Sequence, residues 1–202
     1  MTSIDALTAN FPDAAKDIRL NLTAVLQSAM LSSAQRWGVA LASAYAARNA
    51  DVISAIRAAA EVELLDAVDP VFADAQAAAA LMAMNNVYYR FRHFMGGAYD
   101  SKPPRLRMNR MAAPSTDKAT FELICLAVSA INGCEMCVRS HDQAVKHAGL
   151  GDDHVHEAVR IAAVVHAAAV VQNEVNCTSA VSHATAMVRE LTGTPVASAA
   201  QA

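Results

Sequence analysis

Phe121-Glu122-Leu123-Ile124-Cys125-Leu126-Ala127-Val128-Ser129-Ala130-Ile131, then Asn132-Gly133, then Cys134-Glu135-Met136-Cys137-Val138-Arg139-Ser140-His141 is the stretch on which the reading of this chain turns. The first run is apolar and free of breakers, as a buried helix requires. Asn-Gly is a helix stop and a turn. A second helix then opens at Cys134, so the stretch predicts a helix hairpin from about Lys118 to His147.

The same helical periodicity extends in both directions, and no segment reads clearly as a strand. Towards the N-terminus it predicts helices over Ser3 to Thr8, Asp13 to Ser28 and Ser32 or Ser33 to about Arg48. Another follows the turn at Asn49 to Asp51, and one more opens at Pro70 and runs to about Phe94. Gly96-Gly97-Ala98-Tyr99-Asp100-Ser101-Lys102-Pro103-Pro104 is the strongest break. A basic piece (Arg105, Arg107, Arg110) and a turn at Pro114-Ser115 lead into the hairpin. Beyond it, helices are expected from Asp152 to Asn176 and from Thr178 to Leu191, then a small-residue tail from Thr192 expected to be disordered. This outlines an all-α protein with a single domain over 1–175 and a C-terminal helix and tail over 176–202. Its two halves, about 13–95 and 105–175, each hold a helix, a tight turn, a second helix and a long alanine-rich helix. In the first half the turn carries no cysteine.

Composition agrees with that class. Of 202 residues, 54% are hydrophobic and 17% charged, which excludes disorder, and the apolar share is mostly alanine with 7 Gly and 6 Pro. Alanine loses least on entering a helix, while glycine and proline lose most. A net charge of -3 supplies no basic footprint for nucleic acid. The start has no basic and apolar leader, and the apolar stretch from Ile161 to Val171 is short for a bilayer, so no membrane partner and a cytoplasmic location are expected.

In a reducing cytosol Cys-x-x-Cys points to catalysis or metal rather than to a structural bridge. At roughly 100° per residue, Cys134, Cys137 and His141 fall within about 60° of one another on one helical face. Helical side chains lean towards the N-terminus, which tilts His141 over Cys137. Cys134, near the positive end of the helix dipole, stands where a thiolate is favoured. Glu122, about ten residues before the turn, falls level with His141 on the partner helix. Its apolar flanks make it a buried carboxylate in need of a partner, and His141 is the nearest candidate. Cys125 and Cys177 are read as buried structural thiols, His166 as a hydrogen-bonded core residue, and His147, His154, His156 and His183 as solvated. His93 can cap the end of its helix, and Met82 and Met84 read as core. Asn85 and Asn86 are given no chemical role.

Glu122, Cys134, Cys137 and His141 also match the pattern Glu-x11-Cys-x2-Cys-x3-His. With Phe11-Pro12-Asp13, Lys16-Asp17-Ile18, Met84-Asn85-Asn86-Val87-Tyr88-Tyr89-Arg90 and Leu106-Arg107-Met108-Asn109, the chain resembles the alkyl hydroperoxidase D family over roughly 4–175. The resemblance implies an all-helical fold of duplicated halves, commonly trimeric, related to the carboxymuconolactone decarboxylase group. It implies a lipoyl-dependent peroxidase with no bound cofactor, which reduces alkyl hydroperoxides and regenerates a peroxiredoxin of the alkyl hydroperoxide reductase C type. The electrons would come from dihydrolipoamide on a lipoylated dehydrogenase subunit. By position, Cys137 would be the peroxidatic thiol that becomes a sulfenic acid. Cys134 would be the more exposed thiol that donates a proton and closes the redox disulfide. Glu122 and His141 would form the proton relay. Family members often carry a histidine where this chain has Met136.

Three other readings stay open at this level. One is a structural zinc site of Cys134, Cys137, His141 and Glu122, whose ligand types suit tetrahedral zinc. The second is a carboxymuconolactone decarboxylase-like enzyme that would not need the thiols. The third is a non-catalytic helical assembly module.

Overall fold

A computed structural model describes residues 1–192. Eight α-helices follow one another among these residues: α1 (Ser3–Thr8), α2 (Lys16–Leu26), α3 (Ser33–Ala47), α4 (Ala50–Leu64), α5 (Val68–Phe94), α6 (Lys118–Ile131), α7 (Glu135–His147) and α8 (Asp152–Thr192). No strand occurs among the described residues. Local chemistry sets most of the ends. Ser32 caps α3 through a bond from the Gln35 amide, with Gln35 reaching back to the Ser32 amide. Asn49 and Asp117 cap α4 and α6 by accepting from the Val52 and Thr120 amides. Pro70 sits in the first turn of α5, where its missing N–H costs nothing.

Helix α3 lies at the centre, against α5, α6 and α8. Its residues Val39, Ala40, Leu41, Ala42 and Ala44 are fully buried, as are Phe121, Leu123, Ile124 and Leu126 of α6. Small side chains let these two helices approach closely. At Gly38 an added Cβ would stand 2.6 Å from the Ile124 Cδ1. A helix, a turn and a second helix, then a long helix, recur as α3–α4–α5 and α6–α7–α8.

Four expectations change. The helices expected at 152–176 and 178–191 are one, because no glycine or proline interrupts Asn176-Cys177-Thr178. Cys177 on it is exposed, not a buried thiol. His166 is also exposed rather than part of the core, since the inward stripe is Ile161, Ala162, Val165, Ala168 and Ala169. Helix α8 is long and apolar enough by composition to cross a membrane, but this stripe packs on the protein's own core. Of the tail expected to be disordered, Thr192 ends α8 and 193–202 lie outside the described residues.

Candidate functional site

The α6–α7 turn fixes the first sulfur. Gly133 takes a left-handed φ of +65°, and its amide bonds back to the Ala130 carbonyl at 3.1 Å. The Cys134 amide then reaches the Ser129 carbonyl at 3.2 Å, which completes a Schellman closure of α6. Cys134 is also the N-cap of α7, where its carbonyl accepts from the Val138 amide at 2.9 Å. One residue thus ends one helix and starts the next.

Across the hairpin, Glu122 and His141 come together. They are 5% and 8% exposed, and His141 Nδ1 lies 2.6 Å from Glu122 Oε2. A carboxylate can only accept, so Nδ1 carries the proton. Lys118, one turn before Glu122, puts its Nζ 2.6 Å from the other oxygen, Oε1. Burial opposes ionisation of Glu122, but the bonds from His141 and Lys118 outweigh it and hold the carboxyl below its usual range. Glu122 is thus the buried, partnered carboxylate that its apolar flanks predict.

The other ring nitrogen has an unexpected neighbour. His141 Nε2 is 3.2 Å from the Met82 Sδ rather than bonded to Cys137. Met82 belongs to one face of α5 that also presents Asn85, Asn86, Tyr89 and Arg90 at helical spacing. Asn86 Nδ2 donates to Ser129 Oγ at 3.0 Å, and its Oδ1 accepts from Asn132 Nδ2 at 2.9 Å. Arg90 donates to the Asn132 carbonyl at the end of α6. Met82 is core, as expected, but the polar residues of this face received no role from the sequence. The available signal was a pair of poor helix formers, Asn85 and Asn86, inside an otherwise strong helix.

Both site thiols are buried, and their order differs from expectation: Cys134 is 0% exposed and Cys137 6%. All four cysteines are free thiols. Burial pushes the Cys137 thiol up to about 12, and its hydrogen bond with Cys134 adds to the rise; Asn86 and the Arg90 charge pull the other way but do not prevail. The two residues line different hollows. Cys137 lines a cavity of about 340 Å³ with Asn85, Tyr89, Met108, Met111, Met136, Ser140 and His141. Cys134 lines a cleft of about 410 Å³ with Gly133, Glu135, Val138 and Arg139.

The roof of the first cavity is held from α5. The buried Asp74 carboxylate accepts from Arg110 Nε and Nη2 at 3.0 and 2.7 Å, from the Ser115 and Thr116 amides at 3.0 and 2.7 Å, and from Thr116 Oγ1 at 2.7 Å. This pins the segment that carries Met108 and Met111. Lys118 Nζ also donates to the Met111 carbonyl at 2.6 Å. His93, in the last turn of α5, lies 3.6 Å from a Glu135 oxygen on the outer side of the hairpin.

A zinc site would require Glu122 and His141 to turn away from each other and towards the thiols. Among the described residues no three His, Cys, Asp or Glu side chains gather as a metal-holding group.

Residues 101–180 match the carboxymuconolactone decarboxylase family model. Over 171 residues the chain is 60% identical to a protein of Anaeromyxobacter sp. (strain K) named alkyl hydroperoxide reductase AhpD, covering 84% of this chain and 90% of the relative. The corresponding protein of Rhodospirillum centenum, of the same name, is 52% identical over 84% of this chain and 90% of its own length. That of Maricaulis maris is 47% identical over 84% and 96%.

The chain belongs to the AhpD family. The all-helical fold fits that membership. Within the AhpD frame, the hairpin contributes the two thiols, the carboxylate and the imidazole, while α5 contributes the wall facing them.

Proposed function

We propose that this AhpD-family protein is an antioxidant thiol peroxidase that reduces alkyl hydroperoxides through a Cys134–Cys137 dithiol/disulfide cycle. The carrying observation is that Cys137 and His141 line one cavity while Cys134 hydrogen-bonds to Cys137. A small molecule in that cavity touches the nucleophile and the base together.

The buried Cys137 thiol resists ionisation at rest, so its proton has to leave as the reaction occurs. His141, its Nδ1 proton directed at Glu122, has the Nε2 lone pair free to accept that proton across the cavity. The Cys137 sulfur attacks the terminal peroxide oxygen. The S–O bond forms as the O–O bond breaks, sulfur gives up two electrons, and the departing alkoxide takes a proton from the imidazolium or from Cys134. Cys134 then attacks the sulfenic acid, releasing water and closing the disulfide. A dithiol such as dihydrolipoamide reopens it, itself becoming a disulfide. Cys134 is fully buried at rest, so the reductant requires the turn to yield or attacks from the Cys137 side.

In this reading the protein is a cytoplasmic homotrimer, takes electrons from a lipoylated dehydrogenase subunit and passes them also to a peroxiredoxin of the alkyl hydroperoxide reductase C type. The relatives' name supports the peroxidase class. Consumption of cumene hydroperoxide with dihydrolipoamide as reductant, run beside thioredoxin and glutathione, tests it. Turnover with the dithiol is expected; no turnover with any of the three rejects the reading.

A further inference from the structure

Asn85 is 6% exposed, lines the cavity beside Cys137, and its side-chain oxygen has no hydrogen-bond partner. Its neighbour Asn86, 1% exposed, has both ends of its amide engaged by Ser129 and Asn132. A buried carbonyl oxygen without a donor is costly and uncommon, and an orphan beside a reactive group marks the place of a missing donor. The terminal torsion of an asparagine is soft, so a small rotation presents the oxygen to the cavity.

We propose that Asn85 receives the hydroperoxide, and that Met108, Met111, Met136 and Tyr89 form the wall that takes its organic group. This rests on the peroxidase reading above. A hydroperoxide has one donor, the hydrogen on its terminal oxygen, and that is the oxygen the thiol must attack. An O–H bond to Asn85 Oδ1 holds this oxygen by Cys137 and leaves the alkoxy oxygen towards His141, which returns the proton. Thioether side chains are apolar, flexible and polarizable, and so adapt to a branched or aryl group. A cavity of about 340 Å³ is at the small end of ligand sites, which run from about 300 to 1,000 Å³. This wall is therefore expected to favour a compact organic group, such as cumyl or tert-butyl, over a long acyl chain.

The test measures the two half-reactions separately in full-length protein: oxidation of the reduced enzyme by cumene hydroperoxide, and reduction of the disulfide form by dihydrolipoamide. Asn85→Leu, similar in size but without the acceptor, is expected to slow the oxidative half about tenfold or more, with little change in the other. Asn85→Ala carries the same test if the leucine does not fold, as judged by its helical circular dichroism. Equal loss in both halves, or in neither, overturns the role of Asn85. Met111→Ala is expected to raise the rate with linoleic acid hydroperoxide relative to hydrogen peroxide by about tenfold; an unchanged ratio overturns the role of the wall. If wild-type protein consumes no peroxide, the peroxidase reading itself has failed, whereas an active wild type with an equally active Asn85→Leu rejects only this inference.

Discussion

The Met82 Sδ lies 3.2 Å from His141 Nε2, on the side of the imidazole opposite Glu122. The ring is thus held between a carboxylate and a thioether. Met82 is fully buried, so its main contribution is volume. Met82→Leu is expected to cost less than about 1.5 kcal/mol, and Met82→Ala about 2–5 kcal/mol, in urea unfolding. Similar costs for the two would mean that the sulfur itself, not the packing, holds the histidine.

The two thiols are expected to separate by substitution. Cys137→Ser is expected to abolish peroxide turnover, because no other thiol lines that cavity. Cys134→Ser leaves a Cys137 sulfenic acid that dimedone traps and mass spectrometry locates. Full turnover by Cys137→Ser would remove it from the mechanism.

Alkylation should report the raised Cys137 pKa. The thiolate is the reactive form, so iodoacetamide labelling of Cys137 in the reduced protein is expected to be slow at pH 7 and still rising above pH 9. Between the value of an unfolded thiol, about 8.5, and about 12, the unfolded chain loses a proton that the folded one keeps. Stability from this group is therefore intact below that window and declines as pH rises through it. A labelling rate that levels off near pH 7 would contradict this picture.

Asp74 sets the opposite limit. Burial opposes its ionisation, but the Ser115 and Thr116 amides, the Thr116 hydroxyl and Arg110 outweigh it and keep the carboxyl below its usual range. A depressed carboxyl gives its full stability above its unfolded value of about 4 and loses it as pH falls through the lower folded value. Asp74→Ala should flatten that acid limb and cost about 3 kcal/mol at neutral pH, read by thermal and urea unfolding. Arg110 reaches solvent, which keeps the cost at the lower end for a broken buried pair.

Gly133 is expected to tolerate no side chain cheaply. Its surroundings are open, so the cost of Gly133→Ala is backbone strain alone, about 1–2 kcal/mol. Because Cys134 completes the same closure, disulfide formation should slow in this variant even where it remains folded; an unchanged rate would separate the turn from the redox step.

Much of this architecture was legible in the residues. Lys118–Ile131 and Ser3–Thr8 have the predicted bounds, since a capping residue stands at each start and a break after each end. Glu122 faces His141 because a two-residue turn leaves a hairpin little freedom of register. Helix α8 was misread where weak helix formers cluster at 176–178; without glycine or proline their small penalties do not stop a helix. Its inward face was blurred by alanine on every side, which hid the exposure of His166 and Cys177. The α5 wall was out of reach for another reason. Asn86 and Ser129 stand 43 positions apart, and only tertiary packing brings them into contact.

The cavity joins parts with separate supports. Met108 and Met111 hang from a strap tied to α5 through Asp74 and to α6 through Lys118, whereas the thiols sit on a turn closed by its own backbone. If the cavity takes the peroxide as proposed, sequence drift in the strap is expected to change which organic group fits while leaving the turn that carries the sulfurs closed by its own backbone.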